Sequence, residues 1–193
     1  VPDEIAQAII DLRETYGVAR QLAAIEPMAS DNKLINRRAG GLGGAIETMI
    51  IMEEFGKGLV VEPYLQTVVL CGGLINLAGS SAQKAVLLPK IASGGLILAM
   101  AYTEPQGRFN LADLVTRAAK SGDGFILNGN KAVVAGAPWA DKLLVTARTS
   151  GAQRDKDGVT VFVVDKNAPG VSSRDYPTID GQRASEISFE NVK

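Results

Sequence analysis

Gly94-Gly95-Leu96-Ile97-Leu98-Ala99-Met100-Ala101-Tyr102-Thr103-Glu104-Pro105 is the stretch at which this sequence changes character. Before the glycine pair, apolar residues recur three and four apart; after it, they gather in short β-rich runs separated by turn residues. The switch predicts an α+β fold: an N-terminal helical domain over 1–95, then an antiparallel β-barrel or sandwich as a middle domain over 96–193.

Upstream of the switch, Ser80 and Gln83 match a capping box, in which each side chain satisfies a backbone N–H of the first helical turn. They open a helix toward Ile91 that Pro89 should bend. Before it, Pro63 opens a helix running to Gly79, apolar on several sides and therefore read as buried. Ile46, Met49, Ile50 and Phe55 line one face of an earlier helix that ends at Gly56-Lys57-Gly58. Ile5, Ile9, Leu12 and Tyr16 mark a first helix over 2–16, while 26–33 and the glycine-rich 39–44 read as loop. No strand precedes Gly40–Gly44, so this run makes a weak phosphate cradle and no Rossmann unit is expected.

Downstream, strands are expected over 96–102, 116–119, 125–127, 132–134, 143–147, 159–164 and 187–189. Ser121-Gly122-Asp123-Gly124 and Asn128-Gly129 read as hairpin turns, because Gly and Asn accept the positive φ such turns require.

Composition narrows the chemistry. Lys and Arg number 20 against 21 Asp and Glu, so nothing draws the chain to nucleic acid or an anionic membrane, and no apolar run reaches the ~18 residues of a membrane span. There is no histidine, which removes Ser-His-Asp and Cys-His catalysis and makes a metal site improbable on residue types alone. The single cysteine, Cys71, forbids an internal disulfide and suits a buried structural thiol in a reducing, cytoplasmic setting. The opening Val-Pro-Asp-Glu has no signal-peptide pattern.

Several spaced strings then occur in a recognisable order. Gln83-Lys84, Leu88-Pro89-Lys90-Ile91-Ala92-Ser93-Gly94, Ala99-Met100-Ala101-Tyr102-Thr103-Glu104-Pro105 and Gly122-Asp123-Gly124-Phe125-Ile126-Leu127-Asn128-Gly129-Asn130-Lys131 come first. Ala140-Asp141, Val163-Val164-Asp165, Pro169-Gly170-Val171 and Phe189-Glu190-Asn191-Val192-Lys193 follow in register. Together they resemble the acyl-CoA dehydrogenase family over about residues 38 to 193.

That resemblance implies an FAD-dependent oxidoreductase performing α,β-dehydrogenation of an acyl-CoA thioester, with electrons passing to an electron-transferring flavoprotein. It implies a C-terminal four-helix domain that this sequence lacks, and with it the glutamate that acts as base. The chain therefore names no catalytic residue of its own; Glu104 belongs to a turn motif. The cofactor contacts it implies begin at Thr103, whose hydroxyl would meet the pyrimidine edge of the flavin, with Met100, Ala101 and Tyr102 supplying backbone and shape. An ordinary strand-end threonine is the plainer reading.

Departures from the family pattern fall on the same surface. Phe109 stands where a serine normally meets the FAD phosphates, and the neighbouring Arg108 either replaces that contact through a charge-assisted bond or is simply solvated. Val133 and Ala135 stand where the family has the Trp and Thr beside the flavin, and ordinary β-core is the plain reading of Val133-Val134. Such departures resemble the small-subunit branch, similar to pimeloyl-CoA dehydrogenase small subunits, which work beside a more typical large subunit. Two alternatives follow: a catalytically degenerate partner subunit of a heteromeric dehydrogenase, and a flavin monooxygenase or oxidase on the same fold. The family commonly forms homo- or hetero-oligomers. Apolar residues from Tyr64 to Leu77 either line an acyl pocket or pack as core.

Overall fold

A computed structural model describes residues 45–193. The helix expected over 2–16 and the loops expected over 26–33 and 39–44 lie outside the described residues. The chain divides into two compact units, Val1–Leu96 and Ile97–Lys193.

In the first unit, helix α1 spans Ala45–Gly58. Lys57 pairs with Glu53 at 3.1 Å and Glu54 at 2.7 Å, an exposed arrangement that water screens. A π-helix, Leu65–Gly72, runs directly into α2, Gly73–Ala78. Thr67, Cys71 and Ile75, four residues apart, are buried, whereas Leu65, Leu70 and Leu77 are exposed. This corrects the expectation of a helix buried on several sides: among the described residues only one face is covered. Burial pushes the Cys71 thiol up to about 12, so it stays protonated and inert.

Helix α3 spans Ser81–Ala92 and begins with the predicted capping box: Ser80 N donates to Gln83 Oε1 at 2.8 Å and Gln83 N donates to Ser80 Oγ at 3.2 Å. It ends in a Schellman motif, with Gly94 at φ 69°, Gly94 N on Ile91 O at 2.9 Å and Gly95 N on Lys90 O at 2.8 Å. No helix among the described residues is long and apolar enough to cross a membrane.

The second unit is a curled seven-stranded sheet: β1 (Leu98–Ala101), β2 (Arg117–Ser121), β3 (Gly124–Ala135), β4 (Lys142–Arg148), β5 (Val159–Asp165), β6 (Val171–Pro177) and β7 (Arg183–Val192). The order is β1-β4-β2-β3-β7-β6, with β5 also on β4. Most pairings are antiparallel, but β1 runs parallel to β4 over 98–101, and β2 meets the far end of β4 in parallel at Arg117 and Arg148. Ala99, Ala101, Leu127, Val134, Leu143, Val145, Ile187 and Phe189 close the core. Asp141 fixes the start of β1, its Oδ2 accepting from Ile97 N at 2.9 Å while its own N donates to Ile97 O at 2.9 Å.

Two sequence readings change here. Ser121↔Gly124 closes the expected tight hairpin, with Gly122 at φ 59°. Asn128-Gly129, by contrast, is no turn: it lies inside β3, where the two predicted runs at 125–127 and 132–134 form one strand and the register to β7 shifts between Leu127 and Gly129. The glycine serves close approach, since a Cβ there would sit 2.5 Å from Thr116 Oγ1. Strand β6 was not foreseen; it is a mostly exposed edge strand whose polar residues show no apolar alternation.

Candidate functional site

The end of β1 carries the sequence that singled out Thr103. Beyond Ala101 the chain leaves the β4 ladder and is caught by β3 instead: Ala132 N donates to Thr103 O at 2.9 Å, and the Thr103 hydroxyl donates to Ala132 O. Thr103 is half-buried and Tyr102 exposed. On the β3 side a second register shift falls between Lys131 and Val134, and within it Val133 takes φ 52°, a left-handed conformation that a β-branched residue rarely adopts. Burial alternates across the bulge: Val134 is fully buried, while Val133 and Ala135 are exposed. The Thr103–Ala132 bonds thus make one ledge of the two segments, on which Tyr102 and Val133 are exposed and Thr103 half-buried, with Ala135 two residues along the same strand.

Directly beneath the ledge lies a charged pair. Lys131 Nζ is 2.7 Å from Glu104 Oε1, and both side chains are essentially inaccessible, at 0% and 1%. Glu104 also accepts from Val115 N at 2.7 Å, Thr116 N at 3.1 Å and Gln106 Nε2 at 2.9 Å; Lys131 also donates to Thr146 Oγ1 of β4 at 3.0 Å. Burial pushes the Glu104 carboxyl up, but the bonds from Lys131, Thr116, Gln106 and Val115 outweigh it and hold the group below the usual carboxylate range. Burial pulls the Lys131 ammonium down against the attraction of Glu104. A carboxylate so saturated with donors is an anchor and a poor base.

Arg108 and Phe109 sit elsewhere. They lie on the exposed turn after Glu-Pro, Arg108 at φ 47° and Phe109 fully accessible at 100%. Neither has a contact that ties it to the ledge. Met100, half-buried, and Ala101, buried, lie in the β1–β4 ladder opposite Leu144 and Val145. Sequence reasoning missed Arg148, which is buried and donates to the carbonyls of Ala112, Gln153, Asp155, Asp157 and Ser150. It knits the turn after Glu104 to the loop between β4 and β5, helped by Asp113, which accepts from Gln153 Nε2 at 2.6 Å and Arg154 Nε at 2.7 Å. Gln153 and Arg154 hold the Asp113 carboxyl below its ordinary value. An arginine closing a strand run, Leu143–Ala147, that is apolar but for Thr146 was the available signal.

This domain pair has known counterparts. Residues 99–192 match the family description "Acyl-CoA dehydrogenase, middle domain", and residues 3–95 match "Acyl-CoA dehydrogenase, N-terminal domain". The chain belongs to the acyl-CoA dehydrogenase family. It is 36% identical over 161 residues to mitochondrial isovaleryl-CoA dehydrogenase of Pongo abelii, covering 80% of this chain and 38% of that protein. It is 34% identical over 185 residues to acyl-CoA dehydrogenase FadE29 of Mycobacterium tuberculosis, covering 93% of this chain and 47% of that protein. Among solved structures, the ChsE4-ChsE5 complex from Mycobacterium tuberculosis superposes with a TM-score of 0.74 at 26% identity, over 100% of this chain and 49% of that one. The chain therefore spans less than half the length of these relatives.

Members of this acyl-CoA dehydrogenase family are FAD-dependent flavoproteins. The ledge suits such a ligand in one respect and departs in another. With its proton engaged by Ala132 O, the Thr103 hydroxyl keeps its lone pairs for an incoming donor such as a ring N–H, and Val133, Ala135 and Tyr102 offer apolar surface to a planar ring. Val133 and Ala135 bring no side-chain hydrogen bond.

Proposed function

We propose that this chain supplies the flavin-docking part of an FAD-dependent acyl-CoA dehydrogenase, acting on an acyl-CoA thioester. The observation that carries this reading is the ledge itself: Thr103 locked to Ala132 by two hydrogen bonds beside the exposed Val133. Thr103 accepts from the ring edge, and the backbone from Met100 to Thr103 with Val133 and Ala135 shapes the surface on which the ring rests. Held there, FAD would supply the acceptor for hydride from the β-carbon, and the α-proton would go to a base. Glu104, sealed beneath the ledge, is not that base; the resemblance to the family implies a glutamate of a C-terminal domain. Arg108, at the exposed turn, is available to the phosphates. Electrons pass on to an electron-transferring flavoprotein, and the protein works as an oligomer in the cytoplasm.

Two measurements test this. Anaerobic addition of acyl-CoA esters should bleach the yellow chromophore of the protein purified together with the segment or subunit that supplies the base. Thr103→Val should weaken FAD binding about five- to tenfold, as expected for loss of one net hydrogen bond of roughly 1 kcal/mol. Unchanged affinity in that variant removes Thr103 from the site.

A second reading has its own support. Phe109, Val133 and Ala135 stand where the resemblance implies Ser, Trp and Thr, and one of the similar solved structures is the ChsE4-ChsE5 complex. In this reading the chain is a partner subunit that binds beside a catalytic dehydrogenase. Bleaching that appears only when a partner subunit is added favours it.

A further inference from the structure

The buried Glu104–Lys131 pair has no place in the chemistry proposed above, yet it sits where the end of β1 is held against the bulge inside β3. Glu104 follows Thr103 directly, and Lys131 precedes Ala132 directly. The contacts Lys131 to Glu104, Ala132 N to Thr103 O and Thr103 hydroxyl to Ala132 O form a continuous clamp between the β1 end and the β3 bulge. Lys131 extends the clamp to β4 through Thr146, and Glu104 extends it to the start of β2 through Thr116. Immediately beyond the clamp stands Val133 at φ 52°, a conformation that persists only where its surroundings over-determine it.

We infer that the Glu104–Lys131 pair is a positioning device for the flavin ledge, holding the β3 bulge and its strained Val133 in the one arrangement that presents Thr103 and Val133 together. This rests on the flavin reading. The pair does not touch the ring and does not move a proton. It is net neutral, so its field at the ledge is small and its effect is geometric. Charged groups that bond to each other, to backbone donors at Val115 and Thr116 and to the side chains of Gln106 and Thr146 specify direction, whereas apolar replacements of similar volume fill space without specifying it. Without the pair, Val133 relaxes toward extended backbone and FAD meets a surface that must be ordered on binding, which costs affinity.

The test replaces both charges at once in the intact protein, Glu104→Gln with Lys131→Met, because removing a single partner strands the other and threatens folding. FAD affinity is read by titration of flavin fluorescence, and the clamp by amide exchange at Ala132. The double variant should melt close to the wild type, lose about tenfold in FAD affinity, and exchange the Ala132 amide at least roughly tenfold faster while β4–β5 amides keep their rates. Thr146→Val, which loosens Lys131 without altering the β1 end or the β3 bulge, carries the test if the double variant does not fold, with an expected loss of about two- to threefold. Wild-type affinity in the folded variants, or unchanged exchange at Ala132, overturns the positioning role. Failure of the flavin reading looks different: the wild-type protein itself then takes up no FAD.

Discussion

Glu104 and Lys131 show what a sequence conceals at the scale of single residues. Thr103 stood out because its motif is short and contiguous, and the structure places it half-buried at a strand end. The ion pair beside it spans 27 residues of sequence, and neither partner announces itself: a glutamate before proline reads as turn, a lysine after Asn-Gly-Asn as solvated. Their burial has a measurable consequence. The Glu104 carboxyl titrates lower in the folded chain than in the unfolded one, so the stability it supplies is complete above the unfolded value of about 4.3 and drains as pH falls through the lower folded value. Glu104→Gln should cost about 3–5 kcal/mol at neutral pH, since it leaves the Lys131 ammonium buried without a counter-charge. It should also flatten the acid limb of the stability profile, because the variant has no proton to take up at that site. Chemical denaturation of both proteins between about pH 3 and 7 checks both points. An acid limb as steep in the variant as in the wild type would assign it to other carboxylates.

At the scale of elements, the helix ends were legible where side chains make the cap and less so where backbone does. Ser80 and Gln83 formed the capping box their spacing promised. The end of α1 is subtler. Gly56-Lys57-Gly58 marks the place, but the residue in the left-handed position is Leu59 at φ 51°, with Val60 N on Phe55 O at 3.0 Å completing the motif that Gly94 and Gly95 complete for α3. The same geometry is thus built once on leucine and once on glycine. Leu59 is exposed and has little packing to lose. Leu59→Gly should therefore stabilise the chain by about 1 kcal/mol, and Gly94→Ala should destabilise it by a similar amount. Paired thermal melts of the two variants decide the matter; shifts of the same sign would contradict the shared motif. Strands followed a similar rule. Runs with buried faces, such as β4, were legible, while β6, exposed along an edge and carrying Ser, Ser, Arg and Asp, left no periodic trace. Asn128-Gly129 misled because a bulge and a hairpin turn draw on the same residues, and only the partner strand distinguishes them.

For the whole molecule, the order helices-then-sheet and the change at the Gly94-Gly95 pair were readable because local periodicity differs so sharply on either side. The curl that brings β1 against β3 was not, since it depends on contacts between residues far apart in sequence. That division of the chain makes a distinct prediction. Every residue proposed to meet the flavin lies in Ile97–Lys193, and so does the single tryptophan, Trp139, whereas the α-helices among the described residues lie in the preceding unit. FAD at about one hundred times its dissociation constant adds about 2.7 kcal/mol to whatever unit binds it. For a unit of this size that corresponds to a rise of roughly 10–20 °C in the melting midpoint. Trp139 fluorescence should report that rise in full. If the helical unit unfolds separately, its ellipticity at about 222 nm keeps its midpoint, and the ligand's effect is confined to the sheet. A helical signal that shifts while the Trp139 transition stays fixed would move the site out of the β unit and off the Thr103 ledge altogether.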